Sequence, residues 1–358
     1  MAIYNITTLP SFENNFIKSD VVDKVGCFSL FSGPGGLDLG FEAAGAEILF
    51  ASDIDDVCVE TYNYNRKNKI TTKAINMDLS KASVDEIIGL SRSAKDYRFL
   101  GVVGGPPCQS FSVANVYSVE SDCRHVLPEH YARILAGLRQ KLNLDFFLFE
   151  NVPGLTSKQH LEKFNHFKKM FKKAGFSLFQ DSLNAIDFGV PQQRPRIFVV
   201  GFNSKKYPNI KFSFPKSEVD TYSTVKQFIE GLPEPVHNAK GLDPQTFPIH
   251  PNHWCLVPRS PKFRDGLKKR QGGKSFKVLD WDKPSFTVAY GNREVHVHPC
   301  GHRRLSIFEA MMLQGFPTNY VLTGNISDQV RLISEAVCPV VANRLAISIF
   351  KTLSEFRR

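Results

Sequence analysis

Cys108 stands in the run Gly104-Gly105-Pro106-Pro107-Cys108-Gln109-Ser110-Phe111-Ser112, directly after the apolar stretch Phe99-Leu100-Gly101-Val102-Val103. Glycines and adjacent prolines at the end of a strand make a rigid turn that other groups can approach closely, at the edge where open α/β sheets bind ligands. A thiol held there suits a nucleophile, although a lone cysteine is more often a small packing residue. Two further segments change that balance. Glu150-Asn151 closes the apolar run Phe146-Phe147-Leu148-Phe149, and Arg194 and Arg196 stand two residues apart on an extended segment. That spacing predicts both guanidinium groups on one face. Separately, the carboxylate reads as a strand-end turn and the arginines as a surface ion-pair stripe. Together the four residues make a set for covalent catalysis, with a nucleophile, a proton donor and cations for developing charge.

A second set lies nearer the start of the chain. Gly26-Cys27-Phe28-Ser29-Leu30-Phe31 reads as a buried strand, followed by the turn Ser32-Gly33-Pro34-Gly35-Gly36 and a helix through Leu37, Leu39, Phe41 and Ala44. Gly45 ends that helix, and Glu47-Ile48-Leu49-Phe50-Ala51-Ser52 closes a βαβ unit with Asp53 at its end. An acid twenty residues beyond the glycine turn suits a ribose hydroxyl pair. Asp78 follows the third strand. The glycines do not follow the pyrophosphate pattern, and no phosphate-loop lysine accompanies them. S-Adenosylmethionine therefore fits better than NAD or ATP, with Asp53 on the ribose, Asp78 on the adenine amino group and Phe31 packed on the ring.

The elements that must hold these groups alternate between strand and helix. Helices are expected around Val57 to Asn65, His130 to Lys141 and through Phe164, Phe167 and Phe171, with further strands before Pro106, at Phe146–Phe149 and at Ile197-Phe198-Val199-Val200-Gly201. The expected fold class is α/β, a doubly wound, mostly parallel, Rossmann-like sheet with a smaller second domain. Between about residues 203 and 285 proline, histidine and basic residues become frequent and periodicity weakens. Helical periodicity returns at Ser306 to Gln314 and from Gln329 onward. The expected division is 24–202 as the first part of the catalytic domain, 203–285 as a separate domain, and 286–358 packing back on the first.

The 358 residues are 42% hydrophobic, enough for a substantial core, and carry a net charge of +10. That charge favours an anionic partner, nucleic acid first. Arg259, Lys262, Arg264, Lys268, Lys269, Arg270, Lys274 and Lys277 crowd a stretch with one acid, Asp265, interleaved with Phe263, Gly272, Gly273 and Phe276. No apolar run of about 20 residues and no secretory leader is evident, so a cytoplasmic protein is expected, with no membrane partner. The seven cysteines form no CxxC pair, which argues against a metal site or a disulfide framework.

The glycine turn, Pro106-Pro107-Cys108-Gln109, Asp122-Cys123-Arg124, Glu150-Asn151-Val152, Gln192-Gln193-Arg194-Pro195-Arg196, His298-Pro299 and Arg304-Leu305-Ser306 leading to Glu309 and Leu313-Gln314-Gly315-Phe316-Pro317 occur in this order. In this the chain resembles the cytosine carbon-5 methyltransferases acting on DNA, over nearly its whole length. The resemblance implies an inserted target-recognition domain between the glutamine-arginine and arginine-leucine-serine motifs, where the composition changes. It implies a catalytic set of Cys108, Glu150, Arg194 and Arg196. The implied cofactor contacts are Phe31, Ser32, Gly33, Gly35, Gly36, Asp53, Ile54, Asp78, Leu79, Gly105, Pro107, Glu335 and Val337. Double-stranded DNA would be touched by Gln109, Ser112 and Arg124 of a closing loop, and by Arg259, Arg264 and Arg270. His253, Trp254, Arg259, Arg264 and Arg270 could read base edges, or else Trp254 sits in the core and the others contact phosphates. The implied reaction yields S-adenosylhomocysteine, needs no metal, and belongs to a monomeric bacterial or phage modification methylase, either of a restriction-modification system with a cognate endonuclease acting separately or a solitary one.

Three positions depart from the family pattern: Ser29 where an acid is common, Ile54 where an aromatic is common, and Ser334-Glu335-Ala336-Val337 where Gly-Asn is common. Two other readings compete. One is an RNA methyltransferase of the same fold, as in the tRNA-modifying branch, against which stands the absence of that branch's Cys-Phe-Thr signature. The other is a catalytically silent DNA-binding relative, against which stand Cys108 and Glu150.

Overall fold

Runs of β-branched and aromatic residues alternate with amphipathic segments through the first 203 residues, and the expected elements form there, joined by a helix at Val84–Leu90 and a strand at Phe176–Asn184, which the sequence reading did not include. In chain order these are β1 (Val25–Leu30), α1 (Gly36–Ala44), β2 (Ala46–Asp53), α2 (Asp56–Tyr64), β3 (Ala74–Asn76), α3 (Val84–Leu90), β4 (Phe99–Gly104), α4 (Leu127–Leu142), β5 (Phe146–Asn151), α5 (Leu161–Lys173), β6 (Phe176–Asn184), the two-residue β7 (Gln192–Gln193) and β8 (Pro195–Asn203). The computed structural model describes residues 12–21, 23–67, 72–107, 126–267, 276–287 and 296–356.

All but β7 of these strands form a seven-stranded sheet in the order β3-β2-β1-β4-β5-β8-β6. The first five are parallel to their neighbours, and β8 runs antiparallel to β5. The sheet is therefore mixed. Strand alternation sends successive phenylalanines of β5 to opposite faces. Phe147 packs on Phe171 of α5 at 4.9 Å between ring centroids, whereas Phe146 meets Phe41 of α1 at 6.5 Å. Tyr131, Ile134, Leu135 and Leu138 of α4 and Phe164, Phe167 and Phe171 of α5 fill the larger core. Helices thus cover both faces, as a buried parallel sheet requires.

The described residues cluster into two compact units. The sheet unit comprises Phe16–Leu183, Pro195–Lys216 and Val341–Arg358; the second comprises Met1–Asn15, Asn184–Arg194 and Ser217–Val340. The second unit holds α6 (Val225–Ile229), β9 (Val236–His237), β10 (Trp254–Cys255), β11 (Ser285–Phe286), α7 (Ile307–Leu313) and α8 (Ile326–Glu335), while α9 (Pro339–Phe356) begins at its edge. These limits differ from the expected 203 and 285. Residues 286–340 cluster with the middle of the chain, and the return to the sheet unit begins at Val341. Long-range hydrogen bonds within the second unit account for this: Asn252 Nδ2 donates to Leu322 O at 2.8 Å, and Trp254 Nε1 to Gln329 Oε1 at 2.8 Å.

One stretch was missed in the sequence. Ile326–Phe356 is long and apolar enough by composition to cross a bilayer, yet 83% of its apolar window is buried in the fold, as in a core helix. It is also broken into α8 and α9 ahead of Pro339.

Candidate active site

In a doubly wound sheet the binding crevice opens where strand order reverses, and here that point lies between β1 and β4. Leu30 and Gly104 are register partners at the carboxyl ends of these strands. The glycine turn and the double-proline turn therefore leave the sheet side by side. Phe149 of β5 partners Gly104, so Glu150 lies one step further along the same edge, beside Gly105. A Cβ on Gly105 would come within 2.6 Å of Glu150 Oε2, which is why glycine is needed there. Asn151 Nδ2 donates to Pro106 O at 3.3 Å and ties β5 to the proline turn.

Glu150 is 8% exposed and pairs with Arg196 Nε at 3.1 Å. The register explains the pair: Glu150 faces Phe198 across the antiparallel β5–β8 ladder, and Arg196 is the diagonal neighbour on the same face. Cys108, Gln109, Ser112 and Arg124 lie outside the described residues, as does Arg270. Pro107, to which Cys108 is bonded, is the last described residue of the turn.

The expectation that Arg194 shares this face needs correction. Arg194 belongs to the second unit, where its Nη2 donates to Ser334 O at 2.7 Å and Ala336 O at 2.6 Å. Gln314 Nε2 reaches Ile333 O and Ala336 O from another side. Arg194 therefore positions the end of α8, where Glu335 stands, with Val337 just beyond. Glu335 itself pairs with Arg331 at 3.7 Å. The extended run breaks because β8 starts only at Pro195, after Arg194.

At the cofactor end, Phe31 adopts a left-handed backbone (φ 55°), followed by Gly33 (φ 54°) and Gly35 (φ 91°). A phenylalanine held there is strained, a feature that collects at ligand sites. Gly33 N donates to Asp53 Oδ2 at 2.8 Å and Asp55 N to Asp53 Oδ1 at 3.0 Å, which aims the carboxylate along the turn. Burial pushes the Asp53 carboxyl up, against those bonds. Asp78 goes the other way: the Ser80 hydroxyl bond, at 2.6 Å, leads the effects holding its carboxyl below the ordinary value. Arg133 of α4, which the sequence reading did not single out, donates to Leu79 O and Ala82 O and so fixes the segment after Asp78.

These residues fit an adenosine-type cofactor. Ser32 Oγ and Ser52 Oγ are buried without a hydrogen-bond partner among the described residues, and Ile54 is 62% exposed just past Asp53. A ligand with polar atoms and a flat apolar ring would satisfy both. Ser29, where an acid was expected, is buried and donates to Asp38 Oδ1 at 2.7 Å, so the acid comes from α1 instead.

In the second unit, His253 and Trp254 are core residues. His253 is buried between Ser306 Oγ and Pro233 O, and Trp254 is buried on Gln329. Arg259 and Arg264 are exposed. Ser306 and Glu309 form a capping box on α7, and Glu309 pairs in two-pronged fashion with Arg303. Arg304 packs over the rings of Phe263 and Phe276. Among the described residues no group of three His, Cys, Asp or Glu side chains could hold a metal ion.

A mixed seven-stranded sheet, a strained glycine turn at its switch point and a carboxylate ending the next strand define the α/β fold of S-adenosylmethionine-dependent methyltransferases. The chain belongs to the C-5 cytosine-specific DNA methylase family, which it matches over residues 25–351, and is a DNA cytosine-5 methyltransferase. It is 33% identical to the type II methyltransferase M.FnuDI of Fusobacterium nucleatum, over 91% of this chain and 94% of that protein. It is 32% identical to the type II methyltransferase M.MthTI of Methanothermobacter thermautotrophicus, covering 91% and 97%. A prophage-encoded E. coli protein, described as a DNA modification methyltransferase, shares the fold with a TM-score of 0.73 at 23% identity, covering 92% of this chain and all of that one.

Proposed function

We propose that this protein is a type II modification methyltransferase that methylates carbon-5 of a cytosine turned out of double-stranded DNA, through a covalent adduct with Cys108. The observation that supports it most is the Glu150–Arg196 pair at the sheet edge, against Gly105 and next to the turn that leads into Cys108. S-Adenosylmethionine, when bound, supplies an electrophilic methyl group on a sulfonium.

Carbon-5 of cytosine is too weak a nucleophile to take that methyl unaided. The Cys108 thiolate adds to carbon-6, and the electron pair displaced from the 5,6 double bond makes carbon-5 nucleophilic. Glu150 shares a proton with ring nitrogen 3 and so relieves the charge that develops there. Arg196 holds the Glu150 carboxyl in place and faces the base carbonyl. After methylation, a water or hydroxide takes the hydrogen from carbon-5, the double bond re-forms, and the Cys108 sulfur leaves carbon-6. Carbon-6 is unreachable in a stacked duplex, so the base is flipped into the pocket. Phe31, Ser32, Gly33, Asp53, Ile54, Asp78 and Leu79 hold the donor from the sheet unit. The segment 203–285 serves as target-recognition domain, with Arg259 and Arg264 exposed for phosphate or guanine contacts. A cognate endonuclease is the expected counterpart in the cell.

Bisulfite sequencing of DNA from cells expressing the protein identifies the methylated site. An oligonucleotide carrying 5-fluorocytosine at that site, with S-adenosylmethionine, is then expected to become covalently attached, because fluorine cannot be removed as the hydrogen is. Cys108→Ser abolishes the attachment. Methylation without any trapped adduct overturns the covalent route.

A further inference from the structure

Beneath the glycine turn one carboxylate is wholly enclosed. Asp38, the third residue of α1, is 0% exposed and accepts hydrogen bonds from Ser29 Oγ at 2.7 Å and from the Tyr62 hydroxyl at 2.8 Å. Ser29 is the next-to-last residue of β1. The Ser29–Asp38 bond therefore joins the two ends of the turn that carries Phe31, Ser32, Gly33 and Gly35. Helix α1, with Gly35 as its N-cap, has no side-chain cap, and the inward Asp38 carboxylate ties its first turn to β1 and α2.

Tyr62 is held from behind. The Arg66 guanidinium lies 3.7 Å from the centre of its ring and grips Glu42 through Nε at 3.1 Å and Nη2 at 2.7 Å. The titratable and charged groups facing Asp38 are thus Cys27 on β1, Glu42 on α1, and Tyr62 and Arg66 on and just after α2. The nearby cation is shared with a second acid. A buried carboxylate with that surrounding is costly to keep ionised, and an apolar residue would pack the space with less penalty.

We propose that Asp38 is a positioning residue for the methyl donor: its ionised carboxylate clamps the end of β1 to the start of α1, and protonation loosens the turn and weakens donor binding. This rests on the reading of the turn as the donor's seat. An ionised carboxylate only accepts, and both hydroxyls donate to it; once protonated, one oxygen becomes a donor and a hydroxyl facing it must turn away. Burial raises the Asp38 carboxyl to about 6, against the lowering effects of Arg66, Ser29 and Tyr62. The clamp therefore titrates close to physiological pH.

The test is calorimetric titration of S-adenosylhomocysteine into the full chain between pH 8 and pH 5. The wild-type dissociation constant rises by roughly tenfold as the pH falls through about 6, the size expected for losing one charge-assisted hydrogen bond. Asp38→Asn binds weakly throughout, with a flat profile. Tyr62→Phe leaves the Ser29 bond intact but removes one bond that lowers the Asp38 carboxyl, so its midpoint moves to higher pH. Asp53 would titrate regardless of Tyr62, which separates the two acids. The exchange Ser29→Asp with Asp38→Ser puts carboxylate and hydroxyl across the same contact and recovers binding. If Asp38→Asn keeps the wild-type affinity and profile, or if Tyr62→Phe leaves the midpoint unmoved, the clamp is refuted. If Asp38→Asn does not fold, the Tyr62→Phe midpoint decides. A wild-type protein that binds no S-adenosylhomocysteine at pH 8 refutes the donor reading of the turn and the clamp with it.

Discussion

Gly105 and Glu150 are matched atom to atom: no Cβ fits at 105 without moving the Glu150 carboxylate, which Arg196 holds from the other side. Gly105→Ala is therefore expected to leave the fold intact while displacing the carboxyl by a fraction of an ångström. Misplacing a proton donor by such an amount lowers the rate constant of single-turnover methyl transfer by about 10-fold, short of the roughly 10²-fold loss that a full ångström brings. A quench measurement with radiolabelled S-adenosylmethionine checks it, and a rate within threefold of wild type counts against the placement of Glu150. The two arginines show where sequence reading stops at this scale. Arg194 and Arg196 are the same residue type at strand spacing, and their pattern implied a common face. The strand starts between them, so one guanidinium reaches Glu150 and the other the carbonyls of Ser334 and Ala336. Nothing local marks that start except Pro195, whose missing N–H suits the first residue of a strand. Asp38 was equally hidden, because its partners, Ser29 and Tyr62, are nine and 24 residues away.

Among the elements, α7 shows how a motif can be legible while its roles are not. Arg304, Ser306 and Glu309 were marked together in the sequence; in the fold Ser306 and Glu309 cap α7 reciprocally, while Arg303 rather than Arg304 pairs with Glu309. Burial alone would raise the Glu309 carboxyl, but the bonds and charge of Arg303 outweigh it and hold it below the ordinary value. Ser306→Ala removes one half of the box and is expected to cost about 1 kcal/mol. Glu309→Gln removes the two-pronged carboxylate from Arg303, which keeps its pair with Glu234 through Nε at 2.8 Å, and costs about 1.5–3 kcal/mol. Urea unfolding of the two variants measures both, and equal losses would show that the cap, not the ion pair, carries the stability. Elsewhere β1, β2, β4, β5 and β8 were readable because long apolar runs bounded by glycine or proline leave little choice, whereas the three-residue β3 offers no such run. The break between α8 and α9 was not, since apolar periodicity runs through Ala336-Val337-Cys338 and only Pro339 betrays it.

At the scale of the whole molecule the fold class followed from strand-helix alternation, but the division into units did not, because it depends on hydrogen bonds between residues 50 to 75 positions apart, such as His253 with Ser306 and Trp254 with Gln329. The same packing makes the second unit sensitive to acid. Of its histidines only His253 was read as a possible base contact, yet four of them are buried: burial depresses His250 to about 3 and His296 and His298 to about 4, and lowers His253 as well. The sign follows from proton uptake. The unfolded chain binds protons near the ordinary histidine value of 6.5 while the folded unit does not, so stability is fully present above about pH 6.5 and is lost as the pH falls toward about 4. Asp38 in the sheet unit opposes this by one proton, since its raised carboxyl charges less readily when folded. The net expectation is a melting temperature that is flat from pH 8 to about 7 and then declines toward pH 4.5, with net uptake of up to about three protons on unfolding once the one that Asp38 releases is subtracted from the four of the histidines. Calorimetry in buffers matched for ionic strength measures it. His250→Phe stacks on Phe308 as the imidazole does, at 4.3 Å between ring centroids, and should flatten part of the decline. A melting temperature that stays constant down to pH 5 would mean that these histidines do not titrate on unfolding.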